Sequence, residues 1–247
     1  MSTDEEFVRK RVCCGIGTFA ITVLLGASLI VFAIPRIAAY GTLLPVKSRI
    51  TPALVQGGML PPDMLDASIR AYVSAAGWLP GDADIEQTLA RLYLRRALDA
   101  QGDEIRRARA LQDALDRIDC ALGAAPNRHF SWALRAEILR MLGRPESEVE
   151  AAVRLSYLLG PYQASSMLLR VQTILSLWNE ASPEMREIVG KDLEKIWHTD
   201  ALHSNLAALY LRQPLSSRMR IREVVLNSKE DVDAFNLLIS RQVSRRK

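Results

Sequence analysis

Residues 126–161 read PNRHFSWALRAEILRMLGRPESEVEAAVRLSYLLGP. Proline stands at both ends, and Gly143 and Pro145 interrupt the middle. Proline lacks the N–H that a helix interior needs, and Gly–x–Pro marks a turn. Between these breakers apolar positions recur at helical spacing rather than alternating as in a strand. The stretch therefore predicts two helices, near 130–142 and 146–159, joined by a short turn. Ala, Leu and Arg carry the lowest helix cost and are abundant throughout, while runs typical of strands are nearly absent after residue 40.

Outward from this hairpin, prolines 80, 126 and 161 each end one predicted helix and precede the next. Their spacings are 46 and 35 residues, against about 34 for a tetratricopeptide repeat. Small and large residues fall around them as that repeat requires. Ala75 and Ala121 stand five before a proline, Tyr72 and Ile118 eight before. Leu89, Ala90 and Tyr93 match a first helix, and Trp132, Ala136, Leu139 and Gly143 match another. Small residues let paired helices approach, and bulky ones fill the next groove. Arg135 stands for an expected leucine, Ser156 for an alanine, and about 12 extra residues separate the first two prolines. The fold class is all-α: an N-terminal transmembrane helix, then a degenerate tetratricopeptide-like helical-hairpin array over 62–247. Further helices are expected near 62–78, 84–100, 103–123, 162–178, 184–197, 199–212 and 230–243. The plainer alternative is an irregular helical domain whose Ala/Leu bias produces these coincidences.

Residues 12–35, VCCGIGTFAITVLLGASLIVFAIP, carry no charge. About 20 residues cross a bilayer core as a helix, so the run suffices as an anchor, taken here as 12–39, with 12–35 in lipid contact. A cleaved signal peptide would need small residues before its cut. Ala38–Ala39 is the plausible site, but Ile37 would sit at its −3 position. Arg9, Lys10 and Arg11 crowd the N-terminal edge and place residues 1–11 in the cytoplasm, because basic flanks resist translocation. The expected location is the inner membrane, single-pass, with the C-terminal domain periplasmic. Prolines 45, 52, 61 and 62 with Gly57–Gly58 predict a linker over 40–61.

Composition narrows the chemistry. Lys and Arg number 32 against 28 Asp and Glu, too even for a nucleic-acid binder. Three cysteines, two of them adjacent at 13 and 14, give no disulfide framework, and Cys120 is expected to be a small buried hydrophobe. No nucleotide loop, metal-ligand spacing or nucleophile motif is present, so no catalytic residue, cofactor or metal is expected. His198 and His203 are read as helix-end or surface residues, and Asp82/Asp84 and Glu146/Glu148/Glu150 as carboxylates serving helix starts. Two partner-binding surfaces remain. One is the aromatic set Tyr93, Trp132, Tyr157 and Tyr162, with Trp132 expected in the core. The other is the basic C-terminal group Arg218, Arg220, Arg222, Arg241, Arg245, Arg246 and Lys247.

The stretch from Pro126 to Trp197 resembles bacterial membrane-anchored tetratricopeptide-like proteins encoded beside exopolysaccharide polymerases. The match covers about a third of the chain and includes a W-x4-P/L-x2-R-x3-V-type segment after the repeats, here Trp178, Pro183, Arg186 and Val189, with one residue fewer before the valine. The resemblance implies a non-catalytic scaffold or accessory protein of a cell-envelope polysaccharide system. Its partners would be membrane proteins of the polymerase or export complex. The alternatives are an envelope chaperone or assembly factor (cytochrome maturation, secretion or pilus) and a direct glycan-binding module.

Overall fold

The computed structural model describes the backbone of residues 3–56, 60–100 and 102–244, and side chains from residue 22 within those segments except residues 53, 55 and 56. Among the described residues the chain is all-helical, without strands. It divides into two compact units, residues 1–80 and 81–247, so the 62–78 helix falls in the first.

The first unit holds α1 (Thr3–Gln56) and α2 (Pro62–Trp78). Within α1, Thr22–Pro52 is long and apolar enough to cross a membrane. Its side chains lie open: Leu24, Phe32 and Ile37 are 68%, 68% and 70% exposed. Further along, Ala39, Leu43 and Ile50 are buried, and α2, which packs on α1, buries Leu65, Ile69, Tyr72 and Ala75. The expected linker is corrected here, because residues 40–56 continue α1 through Pro45 and Pro52. Packing of an apolar stripe outweighs the bond each proline removes, as tertiary contacts usually decide helix stability.

The second unit is built of consecutive helix pairs. α3 (Ala83–Asp99) packs on α4 (Glu104–Ala124), α5 (His129–Met141) on α6 (Glu146–Leu159), and α7 (Ala164–Leu175) on α8 (Pro183–Trp197). Pro126 separates the first pair from the second, and Pro161 the second from the third. The 46-residue proline spacing reflects the longer first pair. Asp82 caps α3 by accepting from the amides of Asp84 and Ile85. The turn between α5 and α6 needs Gly143, whose φ is +66°. There Gly143 N–H donates to Arg140 and Arg144 N–H to Leu139, a Schellman closure. Of the residues named by the proline register in this unit, Leu89, Ala90, Ile118, Ala121, Ala136, Leu139 and Ser156 are buried, whereas Tyr93, Trp132 and Arg135 are only partly so.

Beyond α8 the single helix expected at 199–212 is a 3-10 turn, Asp200–Leu202, followed by α9 (His203–Arg212). α10 (Leu215–Val225) falls where no helix is expected. Only Ser217, Ile221 and Val225 turn inward on it, too thin an apolar stripe to read against three arginines and a proline start. α11 (Lys229–Ser244) closes the unit against α9. Cys120 is exposed, correcting its expected burial: it lies on the outer face of α4, while Ile118, Ala121 and Leu122 face inward.

Candidate functional site

The candidate aromatics do not form one surface. Tyr93, Trp132 and Tyr157 are partly buried against the same core, whereas Tyr162 is 74% exposed. Trp132 is thus only partly interior, its indole N–H donating to the Pro126 carbonyl at 2.8 Å. Each ring lies near a cation: Arg96 by Tyr93, Arg135 by Trp132, Arg170 by Tyr157 and Lys195 by Tyr162, at 5.4–6.0 Å. The basic candidates divide as well. Arg218 donates to the carbonyls of Tyr210, Leu211 and Gln213 and so closes the C-terminal end of α9. Arg220 pairs with Glu223 at 2.9 Å. Arg241 is exposed on α11, and Arg245, Arg246 and Lys247 lie outside the described residues. His198 follows α8 and His203 opens α9; the His203 ring stacks on Trp197 and contacts its carbonyl at 2.7 Å.

Four buried charges went unread in the sequence: Arg170, Asp192, Glu137 and Glu86. Arg170 is wholly buried in α7 and makes a two-pronged pair with Asp192 of α8, at 2.7 and 2.9 Å. Its remaining N–H groups reach the Ser156 hydroxyl and carbonyl, and the carbonyls of Gly160 and Pro161. The Ser156 carbonyl also accepts from the Gly160 amide and the Gly160 carbonyl from Gln163, so Arg170 adds a second donor where α6 ends. Burial pushes the Asp192 carboxyl up, and the Arg170 fork opposes that. Glu137 of α5, also buried, accepts from Arg140, Gln172 and Thr173, which ties α5 to α7. Glu86 of α3 accepts from Arg117 of α4. These groups fasten helix to helix.

At the same joint, Gly160 lies so close to His129 that a Cβ there would stand 2.5 Å from the imidazole ring. His129 Nδ1 meets the Ser166 hydroxyl at 2.7 Å. Burial, with Arg170 nearby, holds the imidazole below its ordinary value. The unfolded chain takes up this proton near pH 6.5, but the folded chain only at lower pH. Between the two values the unfolded state binds more protons, so stability falls as pH drops through about 6.5 and then levels. Urea unfolding at pH 7.5 and 5.0 should show a larger loss for the native chain than for His129→Gln. Parallel losses would refute the assignment.

A cavity lies elsewhere, between the end of α7, the segment 176–182 and the start of α10. It is a half-open cleft of about 390 Å³ whose walls include Trp178, Asn179, Glu180, Pro214, Met219 and Arg220. The fold makes this cleft by ending α7 at Leu175 and setting α10 across the gap; Ser217 pins the two by donating to the Leu175 carbonyl at 3.1 Å. Trp178 lies with Arg186 and Arg220 at 5.8 and 5.9 Å from its ring. Arg186 also donates to the Asn179 carbonyl at 3.2 Å, while its Nε–H is buried without an acceptor. Three residues of the Trp178–Val189 segment thus have visible tasks: Trp178 walls the cleft, Pro183 starts α8, and Arg186 backs the indole. The cleft's other wall, Arg220 and Glu223, belongs to the unexpected α10. Comparison of the chain with protein-family models, with curated proteins and with solved structures finds no match.

Proposed function

We propose that the chain is a membrane-anchored, non-catalytic scaffold of a cell-envelope polysaccharide system, its second unit a degenerate tetratricopeptide-like array that holds protein partners. The observation that carries the reading is the open apolar face of α1. Nine large apolar side chains between Val23 and Ile37 are more than half exposed. Leaving them in water would cost of order 10–20 kcal/mol, more than most domains have in total stability. A bilayer removes that cost. Retention rather than cleavage is favoured by the state of Ala38–Ala39: the pair lies within α1, and Ala39 is 0% exposed. Proteases favour exposed, non-helical segments. Arg9, Lys10 and Arg11 then keep the N-terminus cytoplasmic and the helical units periplasmic.

The array reading draws on the pairing of α3 with α4, α5 with α6 and α7 with α8, divided by Pro126 and Pro161. The scaffold reading draws on how the carboxylates are used. Asp82 caps α3, Glu137 and Asp192 hold buried bonds, and Glu150 accepts from the Ser182 amide. The polysaccharide assignment rests on resemblance alone.

Membrane fractionation, with reporter fusions after residue 60, tests the tethering. Full-length protein should resist alkaline extraction and place the reporter in the periplasm, and soluble protein beginning near Tyr40 would sink it. A photo-crosslinking residue at Met219, on the rim of the cleft, should trap a membrane protein of the polymerase or export machinery. Capture of a haem-handling or secretion component would favour the assembly-factor alternative.

A further inference from the structure

We infer that the Trp178 cleft is a binding site for a neutral saccharide, a property that rests on the cleft alone and holds or fails whatever becomes of the tethering. Its walls offer side-chain groups not consumed by the fold. The indole N–H of Trp178 makes no hydrogen bond to the described protein, whereas those of Trp132 and Trp197 donate to Pro126 and Asp231. The Asn179 amide, the Glu180 carboxylate and the Ser216 hydroxyl are likewise unengaged among the described residues. Arg220 spends one nitrogen, Nη1, on Glu223 and keeps further donors. Donors and acceptors are therefore mixed in one lining, to which Pro214 and Met219 add apolar surface.

A sugar hydroxyl both donates and accepts, so a polyol suits walls that mix amide, carboxylate, hydroxyl and guanidinium. The charges argue against an anion: the lining holds Glu180, Glu223 and Arg220, with Arg220 paired to Glu223, so the cleft has no positive excess to attract one. An extended peptide is favoured less, because the cleft is framed by helices whose backbone bonds are spent internally and which offer no strand edge. A helix docked by an apolar face would meet too many polar groups. The size agrees: 390 Å³ is near the lower end of small-ligand clefts and accommodates about two hexose rings.

The test uses the full chain in lipid nanodiscs and saturation-transfer NMR with four probes. Cellotetraose, maltotetraose and tetra-N-acetylchitotetraose are neutral; a hyaluronan tetrasaccharide is acidic. Saturable transfer to at least one neutral probe is expected, weakened tenfold or more in Asn179→Ala/Glu180→Ala and unchanged in Ile105→Ser, which alters an exposed residue of α4. The two cleft side chains are exposed, and circular dichroism of the double variant should overlay that of the native chain. Absence of transfer to all three neutral probes overturns the inference, as does transfer that the double variant leaves intact. Binding of the acidic probe alone would overturn it too, and would make the arginines the binding groups.

Discussion

Replacing Arg170 by methionine should lower the unfolding free energy by about 3–5 kcal/mol. The side chain is 0% exposed, and its partner Asp192 is 1% exposed. Methionine fills much of the volume but gives Asp192 no counter-charge, and it removes the guanidinium bonds to the Ser156, Gly160 and Pro161 carbonyls at the end of α6. The charge itself is not what stabilises: burying two ions costs several kcal/mol each, which their attraction only about repays. The loss arises from stranding one of them. Hence Arg170→Met/Asp192→Leu should recover a large part of the stability, up to the cost of the guanidinium bonds lost at those carbonyls. Urea denaturation followed by far-ultraviolet circular dichroism measures both variants. A single-variant loss under 1 kcal/mol would mean that water reaches the pair and that α6, α7 and α8 are joined less tightly than described.

Why this joint could not be read from sequence is a matter of distance along the chain. Arg170 sits in SSMLLRVQTIL, where a lone arginine in an amphipathic helix reads as a solvent-facing side chain. Its partners lie 22 residues ahead and up to 14 behind. One clue was present. Ser156 broke the small-residue register where alanine was expected, and its hydroxyl is what Arg170 bonds. Arg135, the other departure, reaches Asp119 at 2.7 Å and ties the surface of α5 to α4. Departures from an apolar pattern were the places where polar bonds between helices had been substituted.

The helices that proline and glycine punctuate were readable because those residues act locally, through a missing N–H or a permitted positive φ. The same rule failed in α1, where Pro45 and Pro52 read as breakers and the packing of α2 kept the helix whole. It failed in the opposite sense at α10, whose inward face is three residues wide. Missing α10 meant missing one wall of the cleft. Trp178 and Arg186 were visible as a spaced pair, while Arg220 was visible only as part of a basic run. That Arg220 and Arg186 meet at one indole depends on a crossing of α10 that no local pattern encodes.

Truncating Phe235 to alanine should cost about 3–5 kcal/mol and release α11 from the rest of its unit. Phe235 is the buried residue of this sixteen-residue helix among its described positions. Its ring meets Tyr210 edge-on at 5.0 Å and Trp197 at 5.9 Å, with Leu238 and Ile239 partly covered beside it. A second tie, from the Trp197 indole N–H to Asp231 at 2.9 Å, depends on the first, because the ring fixes where the helix lies. Ser228 caps the start of α11 by accepting from the Asp231 amide at 3.0 Å, a local bond that survives undocking. The variant should therefore keep a fraying helix while losing its contacts. Hydrogen exchange separates the two effects: amides of α11 should exchange at nearly unprotected rates, and those of α9 faster than in the native chain. The amides of α3 to α6, which belong to the earlier helix pairs, should change little, since local opening need not propagate across a stack of helix pairs. If α3 lost protection in step with α11, the unit would unfold as one body and the pairs could not act as semi-independent layers. If neither changed and stability fell by less than 1 kcal/mol, α11 would be held by its exposed face against something other than this core.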